Sequence, residues 1–256
     1  KPGLHTGSGP DHAGQVTVAG LALPISQFDG VHISGQWVAA RLPKRHRTAH
    51  KGSFGTVAAI GGAADMPGAA LLAAHGARAA GAGKVATLSP DGPVFDPGEP
   101  QLMAWSIDRP ADIERHLGNL SAAAIGCGLG NGRSASNLLA STLSTDLPLV
   151  VDADALNAIA ASRVEQADRH SVTDRPAANP ERPSTAKSTP AAPVRAGLAP
   201  LLARRASLAP TILTPHPLEA ARLLGQSVQQ IQGDRVASAL ALAREYASVI
   251  LLKGAG

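Results

Sequence analysis

An α/β fold with a mostly parallel central sheet is what this sequence predicts, and three observations carry that expectation. Short apolar runs alternate with longer alanine- and leucine-rich stretches along most of the chain. Glycine clusters follow the short runs, where a strand must turn sharply into a helix. Residues 50–89 show the whole unit at once. They read as a strand over 56–60, a turn at Gly61 and Gly62, a helix over 68–80 opened by Asp65 as cap and Pro67, a stop at Gly81 and Gly83, and a strand over 84–88. Such a unit needs a crossover, and hence parallel neighbours.

Taken from the start, residues 1–24 form a Gly/Pro-rich loop and one alternating strand over 15–19. A lone strand cannot satisfy its own edges, so this piece reads as the tail of an upstream domain. Residues 25–48 read as a linker, and its basic run Lys44, Arg45, His46, Arg47 as a solvated face rather than a phosphate patch. The main domain is expected over 49–256. After its opening unit, 90–118 is mixed, with turn signals at Pro93, Pro97, Pro100 and Pro110. A strand over 121–125 runs into the glycine loop Gly126 to Gly130, a helix follows over 134–144, and a strand over 147–151 ends in Asp152, Ala153 and Asp154. Residues 163–197 are rich in Pro, Ser, Thr, Ala and Arg without a hydrophobic period, and read as a mobile surface insertion. Order resumes with a strand over 211–214, then Pro215, His216 and Pro217, and a helix to Leu224. A single helix is expected over 228–246 and a last strand over 248–252, entering Lys253, Gly254, Ala255 and Gly256.

Composition limits the function classes. Hydrophobic residues make up 44% of the 256 and aromatics 2%, so alanine, valine and leucine build the core and base-stacking nucleic-acid modules are not expected. A net charge of +4 suits an anionic small molecule rather than DNA. One cysteine, Cys127, excludes an internal disulfide and fits a reducing, cytoplasmic compartment. No apolar run has the length of a membrane span.

Two strand-end loops suit phosphate. Lys253 to Gly256 offers a point charge and small residues that let backbone amides approach an anion, although such dipeptides are often plain turns. The Gly126 to Gly130 loop is equally a tight strand-to-helix turn. His216 is pinned between prolines at a strand end, where an imidazole can hydrogen-bond a ligand, although an isolated histidine is more often structural. Asp152 and Asp154 suit acid–base or metal work, or helix capping, with Asp154 as the cap. No His/Cys/Asp cluster has metal-site spacing, and Cys127 has no identifiable histidine partner that would make it a nucleophile.

In order, the stretches HKGSFGTVAAIGG, DMPGAALLAAHGARAAGAGKV, AAIGCGLGNG, LPLVVDADALN, TILTPHPLEAARLLG and VILLKGAG resemble the ADP-dependent NAD(P)H-hydrate dehydratase family of the ribokinase-like superfamily. They cover most of 49–256 apart from the insertion. The resemblance implies a three-layer α/β/α ribokinase-like domain whose C-terminal part is missing. Residues 1–24 look like the end of the epimerase domain of bifunctional relatives. The implied reaction is ADP-dependent dehydration of the S form of hydrated NADH or NADPH, with ADP or ATP as co-substrate, Mg2+, a homo-oligomer, and no nucleic-acid or membrane partner. Ala69, Ala70, Gly128 and His216 would line the hydrate site, and Lys253, Gly254, Ala255 and Gly256 would begin the nucleotide site. The family's catalytic Asp sits in a GTGD-type motif, absent from this chain, so no catalytic residue is expected here and the chain by itself is expected to be inactive. Cys127 stands where proline is usual, and Leu218 where glycine is usual after His216 and Pro217. The alternatives are a ribokinase-like small-molecule kinase and a non-catalytic nucleotide-binding module.

Overall fold

Strand β1 (Thr56–Ile60) sets the architecture, because its small residues are buried on both faces: Ala58 and Ile60 belong to one apolar cluster and Ala59 to another. A strand buried on both sides needs helices above and below it. The computed structural model describes residues 4–5, 8–17, 30–31, 33–107, 110–173 and 197–254, in two units, 1–50 with 255–256 and 51–254.

The described part of the first unit holds two short helices, α1 (Gly9–Ala13) and α2 (Gly35–Ala39). Ser34 caps α2 by accepting from the Trp37 amide, and the Arg41 guanidinium lies 3.7 Å over the Trp37 ring. Of the strand expected over 15–19, residues 15–17 form no strand and 18–19 lie outside the described residues.

The second unit runs β1, α3 (Pro67–Ala79), β2 (Lys84–Leu88), β3 (Met103–Trp105), α4 (Pro110–Leu117), β4 (Ala122–Ile125), α5 (Arg133–Leu143), β5 (Leu149–Val151), α6 (Ala153–Thr173), α7 (Leu198–Arg204), β6 (Thr211–Leu213), α8 (Pro217–Leu224), α9 (Val228–Gly233), α10 (Arg235–Tyr246) and β7 (Val249–Ile250). The seven strands form one sheet in the order β3-β2-β1-β4-β5-β6-β7, and every pair is parallel. The chain thus winds outward from β1 to β3, returns to place β4 on the other side of β1, and winds outward again to β7. Right-handed crossovers put helices of the two halves on opposite faces. Ala74 of α3 packs with Ala59 and Val85, while Leu138, Leu156, Leu223 and Leu242 from α5, α6, α8 and α10 share a core with Ile60, Ile125, Val151 and Leu213. This is the expected three-layer α/β/α fold.

At the amino edge of the sheet one arginine joins several elements. Arg205, with no exposed surface, donates to the carbonyls of Thr142, Leu143, Thr145 and Leu147 and to Thr211 Oγ1. It therefore closes the carboxyl end of α5 and ties the starts of β5 and β6 together. Burial pulls its pKa down, and Asp146 works in the opposite direction.

Several expectations are corrected. Asp65 is not the cap of α3: Met66 occupies that position and makes no side-chain cap bond, and Pro67 alone supplies the start. The mixed stretch contains β3 and α4, whose shortness hides any period. The helix expected over 228–246 breaks at Asp234, which accepts from the Ala237 amide and starts α10. The stretch read as an insertion from 163 is helical to Thr173, and Arg163 is held by Glu245 at 2.6 Å and by the Tyr246 hydroxyl at 3.0 Å. Residues 174–196 lie outside the described residues.

Candidate functional site

The reversal of winding between β1 and β4 is a topological switch point, where open α/β sheets leave a crevice beyond their carboxyl ends. Its floor is backbone. Gly62 N donates to Cys127 O at 3.0 Å, Ala63 N to Gly128 O at 2.7 Å, and Gly126 N to Ile60 O at 3.0 Å. Two glycines make this closeness possible. A Cβ on Gly126 (φ 120) would overlap the Asp152 carbonyl, and one on Gly128 (φ 62) would lie 2.9 Å from Met66 Cβ and 3.0 Å from Ala69 Cβ. Gly128 and Ala69 are therefore neighbours, with Ala69 part-exposed. Ala70 is 1% exposed, beneath Gly62.

The next strand end carries charge. Asp152 follows β5 and Asp154 lies in the first turn of α6. Asp154 does not cap that helix: its Oδ2 accepts from Gly130 N at 2.9 Å, tying the β4 loop to the β5 loop. Between them Ala153 has φ 48, a left-handed conformation costing a non-glycine residue about 1–2 kcal/mol. The flanking amides hold it, Asp152 N on Ile125 O and Asp154 N on Gly126 O.

Lys253, just past β7, reaches back over the end of β6. Its Nζ donates to Asp152 Oδ1 at 2.6 Å and lies 3.9 Å from Glu219 Oε2, while its amide donates to Pro215 O at 2.9 Å. The ammonium is thus already paired. Arg235 donates to the carbonyls of Leu252 (3.0 Å) and Lys253 (3.1 Å), and its guanidinium lies where a Cβ of Gly254 (φ 136) would fall. Ala255 and Gly256 lie outside the described residues.

His216 is the N-cap of α8. Its Nδ1 accepts from the amides of Leu218 (3.1 Å) and Glu219 (3.4 Å), which leaves the proton on Nε2. Glu219 completes a capping box by accepting from His216 N at 2.8 Å. Leu218 sits exposed in the first turn of α8, a position that asks nothing special of glycine. Burial raises the pKa of Cys127, with Asp152 adding to the rise, so its thiol keeps its proton to a higher pH than a free cysteine.

Beside the crevice a cavity of about 310 Å³ is lined by Gly130, Asn131, Ser136, Asp154, Asn157 and Arg222, among others. A larger one of about 470 Å³ lies at the opposite, amino edge, next to Lys51, Lys84 and Met103. The switch-point crevice is the better candidate because strand-end loops converge there.

Sequence reasoning found Gly128, His216 and Lys253 at this end of the sheet, and missed Glu219 and Arg235. Glu219, three residues after the capping position, carried a readable signal; Arg235, on a helix in mid-pattern, carried none.

Residues 57–173 and 199–256 match a family model described as NAD(P)H-hydrate dehydratase. An ADP-dependent (S)-NAD(P)H-hydrate dehydratase of Neisseria meningitidis serogroup B is 36% identical over 242 residues, covering 89% of this chain and 68% of its own. The chain belongs to the NAD(P)H-hydrate dehydratase family. A bifunctional NAD(P)H-hydrate repair enzyme of Coxiella burnetii is 35% identical over 263 residues, matching 100% of this chain and 45% of its own length. The chain therefore spans about half the length of such bifunctional relatives. A Bacillus subtilis ADP/ATP-dependent NAD(P)H-hydrate dehydratase, co-crystallized with ATP/Mg2+, superposes with a TM-score of 0.57 at 29% identity, covering 86% of this chain and 65% of its own. A ribokinase-like superfamily protein of Enterococcus faecalis shares the fold, with a TM-score of 0.57 at 18% identity. In this dehydratase-family chain the crevice, His216 and Lys253 lie on one edge of one sheet.

Proposed function

We propose that the protein, at its natural length, uses ADP to dehydrate the S form of hydrated NADH or NADPH, restoring the reduced cofactor. The observation that carries this reading is the switch-point crevice itself, floored by backbone between β1 and β4 and flanked by His216 and Lys253, in a chain of this family. Ala69, Ala70, Gly128 and His216 are proposed for the hydrate side, Ala70 from its buried place under Gly62. Lys253 and Gly254, continuing to Ala255 and Gly256, are proposed for the nucleotide side.

In this reading the terminal phosphoryl group of ADP passes to the hydrate's hydroxyl, leaving AMP. The ring nitrogen's lone pair then expels phosphate, and loss of a proton from the adjacent carbon restores the double bond. The residues described here position the reactants and exclude water. His216 offers its Nε2 proton to an acceptor, and the glycine loops bring amides close to the ligand. Mg2+ would be carried by the nucleotide phosphates and would neutralise their charge; among the described residues no group of three or more His, Cys, Asp or Glu side chains could hold a metal ion. A base from a GTGD-type motif outside this chain, an epimerase domain upstream acting on the R form, a homo-oligomeric state and a cytoplasmic location belong to the same proposal. Among the described residues no helix is long and apolar enough to cross a membrane.

The test is to incubate the full-length protein with NADH hydrate and ADP. Recovery of the NADH absorbance band with equimolar phosphate and AMP is the expected result. A stable phosphorylated product would mark a kinase instead, and nucleotide binding without turnover a binding module. Light scattering reads the oligomeric state.

A further inference from the structure

We propose that Glu219 is a positioning residue that couples the hydrate side of the site to the nucleotide side, an inference that rests on the reading above. Its carboxylate is 4% exposed and meets both candidate ligand groups. Oε2 accepts from His216 N at 2.8 Å and stands 3.9 Å from Lys253 Nζ, while Oε1 stands 3.3 Å from His216 Nε2. Nδ1 of that imidazole is committed to the helix amides, so Nε2 is the nitrogen left for a ligand, and it stands beside the Glu219 carboxylate.

Lys253 is the cation that faces this carboxylate, and Asp152 holds its Nζ from the other side at 2.6 Å. A buried carboxylate is sensitive to the position of a nearby cation, because the low local dielectric leaves the interaction poorly screened. An anion arriving at the loop after β7 competes with Asp152 and Glu219 for the Lys253 ammonium. As Nζ moves, the charge balance at Glu219 changes, and with it the electrostatic pull of the carboxylate on His216 Nε2, 3.3 Å away. Nucleotide occupancy is therefore transmitted to the group that faces the hydrate. The amide of Lys253, on Pro215 O at 2.9 Å, fixes the two loops against each other, so the message passes through side chains rather than through a loop movement.

The experiment uses the full-length protein labelled at histidine with 15N, titrated with ADP, while calorimetry measures ADP affinity with and without NADH as occupant of the hydrate side. ADP should shift the His216 Nε2 resonance, and NADH should change ADP affinity by at least about fivefold. In Glu219→Gln the resonance should stop responding and the affinity ratio should fall to near one. Lys253→Met removes a residue of the nucleotide side and should weaken ADP binding; at saturating ADP the His216 resonance should again not respond and the ratio should be near one. A purely structural role for Glu219 would lower thermal stability but leave the ratio unchanged. Persistence of the ADP response in both variants overturns the coupling, as does a wild-type protein that binds ADP without moving the His216 signal. Failure of the wild-type protein to bind ADP at all overturns the nucleotide reading, and the coupling with it.

Discussion

Replacing Arg205 with methionine should cost the larger unit about 3–5 kcal/mol, the range seen when one partner of a buried charged network is removed. The guanidinium reaches four carbonyls and the Thr211 hydroxyl, and no part of the residue is exposed. Methionine fills much of the volume but donates nothing. The carbonyls of Leu143, Thr145 and Leu147 then lose this donor, at about 1–3 kcal/mol for each that stays buried and unmet. Relief from burying a charge returns part of that sum, as the lowered pKa of Arg205 indicates. With a urea dependence of about 2 kcal/mol per molar, the unfolding midpoint should fall by about 2 M. Equilibrium urea denaturation followed by far-UV circular dichroism measures it. Lysine at 205 keeps the charge but has three donors without the planar fork, and should rescue less than half of the loss. Because Arg205 acts at the amino edge, ADP affinity of the folded variant should be unchanged. A loss below about 1 kcal/mol would show that these carbonyls find other partners, and would refute the reasoning.

Gly126→Ala should destabilise by more than the left-handed penalty of about 1–2 kcal/mol, because the methyl overlaps the Asp152 carbonyl and meets Ala155 Cβ at 2.8 Å; thermal melts and loss of turnover together read this. Asp152→Asn should change stability by less than about 1 kcal/mol, since the pair with Lys253 is part-exposed, yet tighten ADP binding by freeing the ammonium; weaker binding would place Lys253 away from the phosphates. Cys127 should react slowly with iodoacetamide at neutral pH and faster only as pH rises above about 9, because burial holds its proton. Tyr246, whose pKa is raised first by burial, keeps its proton in the folded state after the unfolded chain has released it. Stability from this group is complete below about pH 10 and is lost as pH rises beyond that, so Tyr246→Phe should flatten the alkaline end of the stability curve.

The fold was legible wherever one strand or helix carried its own signal. The strands over 56–60 and 84–88 have the observed bounds, since each is an apolar run closed by glycine or a turn. Met103–Trp105 was not legible, because three residues show no period and their strand character comes from pairing with β2. Asp234 hid a helix break, since one capping residue in a continuous pattern looks like any exposed acid. At the site, His216 and Lys253 could be placed at strand ends. That the first caps a helix is a local contact, which Glu219 three residues on could have signalled; that the second is paired across β6 with Asp152 depends on strand order, which lies beyond the reach of local sequence. Asp154 shows the same limit, since its partner Gly130 is 24 residues away.

The anchoring of α7 has an evolutionary consequence. Ala199 N donates to Ser162 Oγ on α6 at 3.3 Å, and Arg205 then locks the chain to α5 and β6. Both margins of residues 174–196 are thus fixed by bonds that owe nothing to what lies between them. Selection can therefore hold α7 in place through Ser162 and Arg205, whatever sequence stands at 174–196.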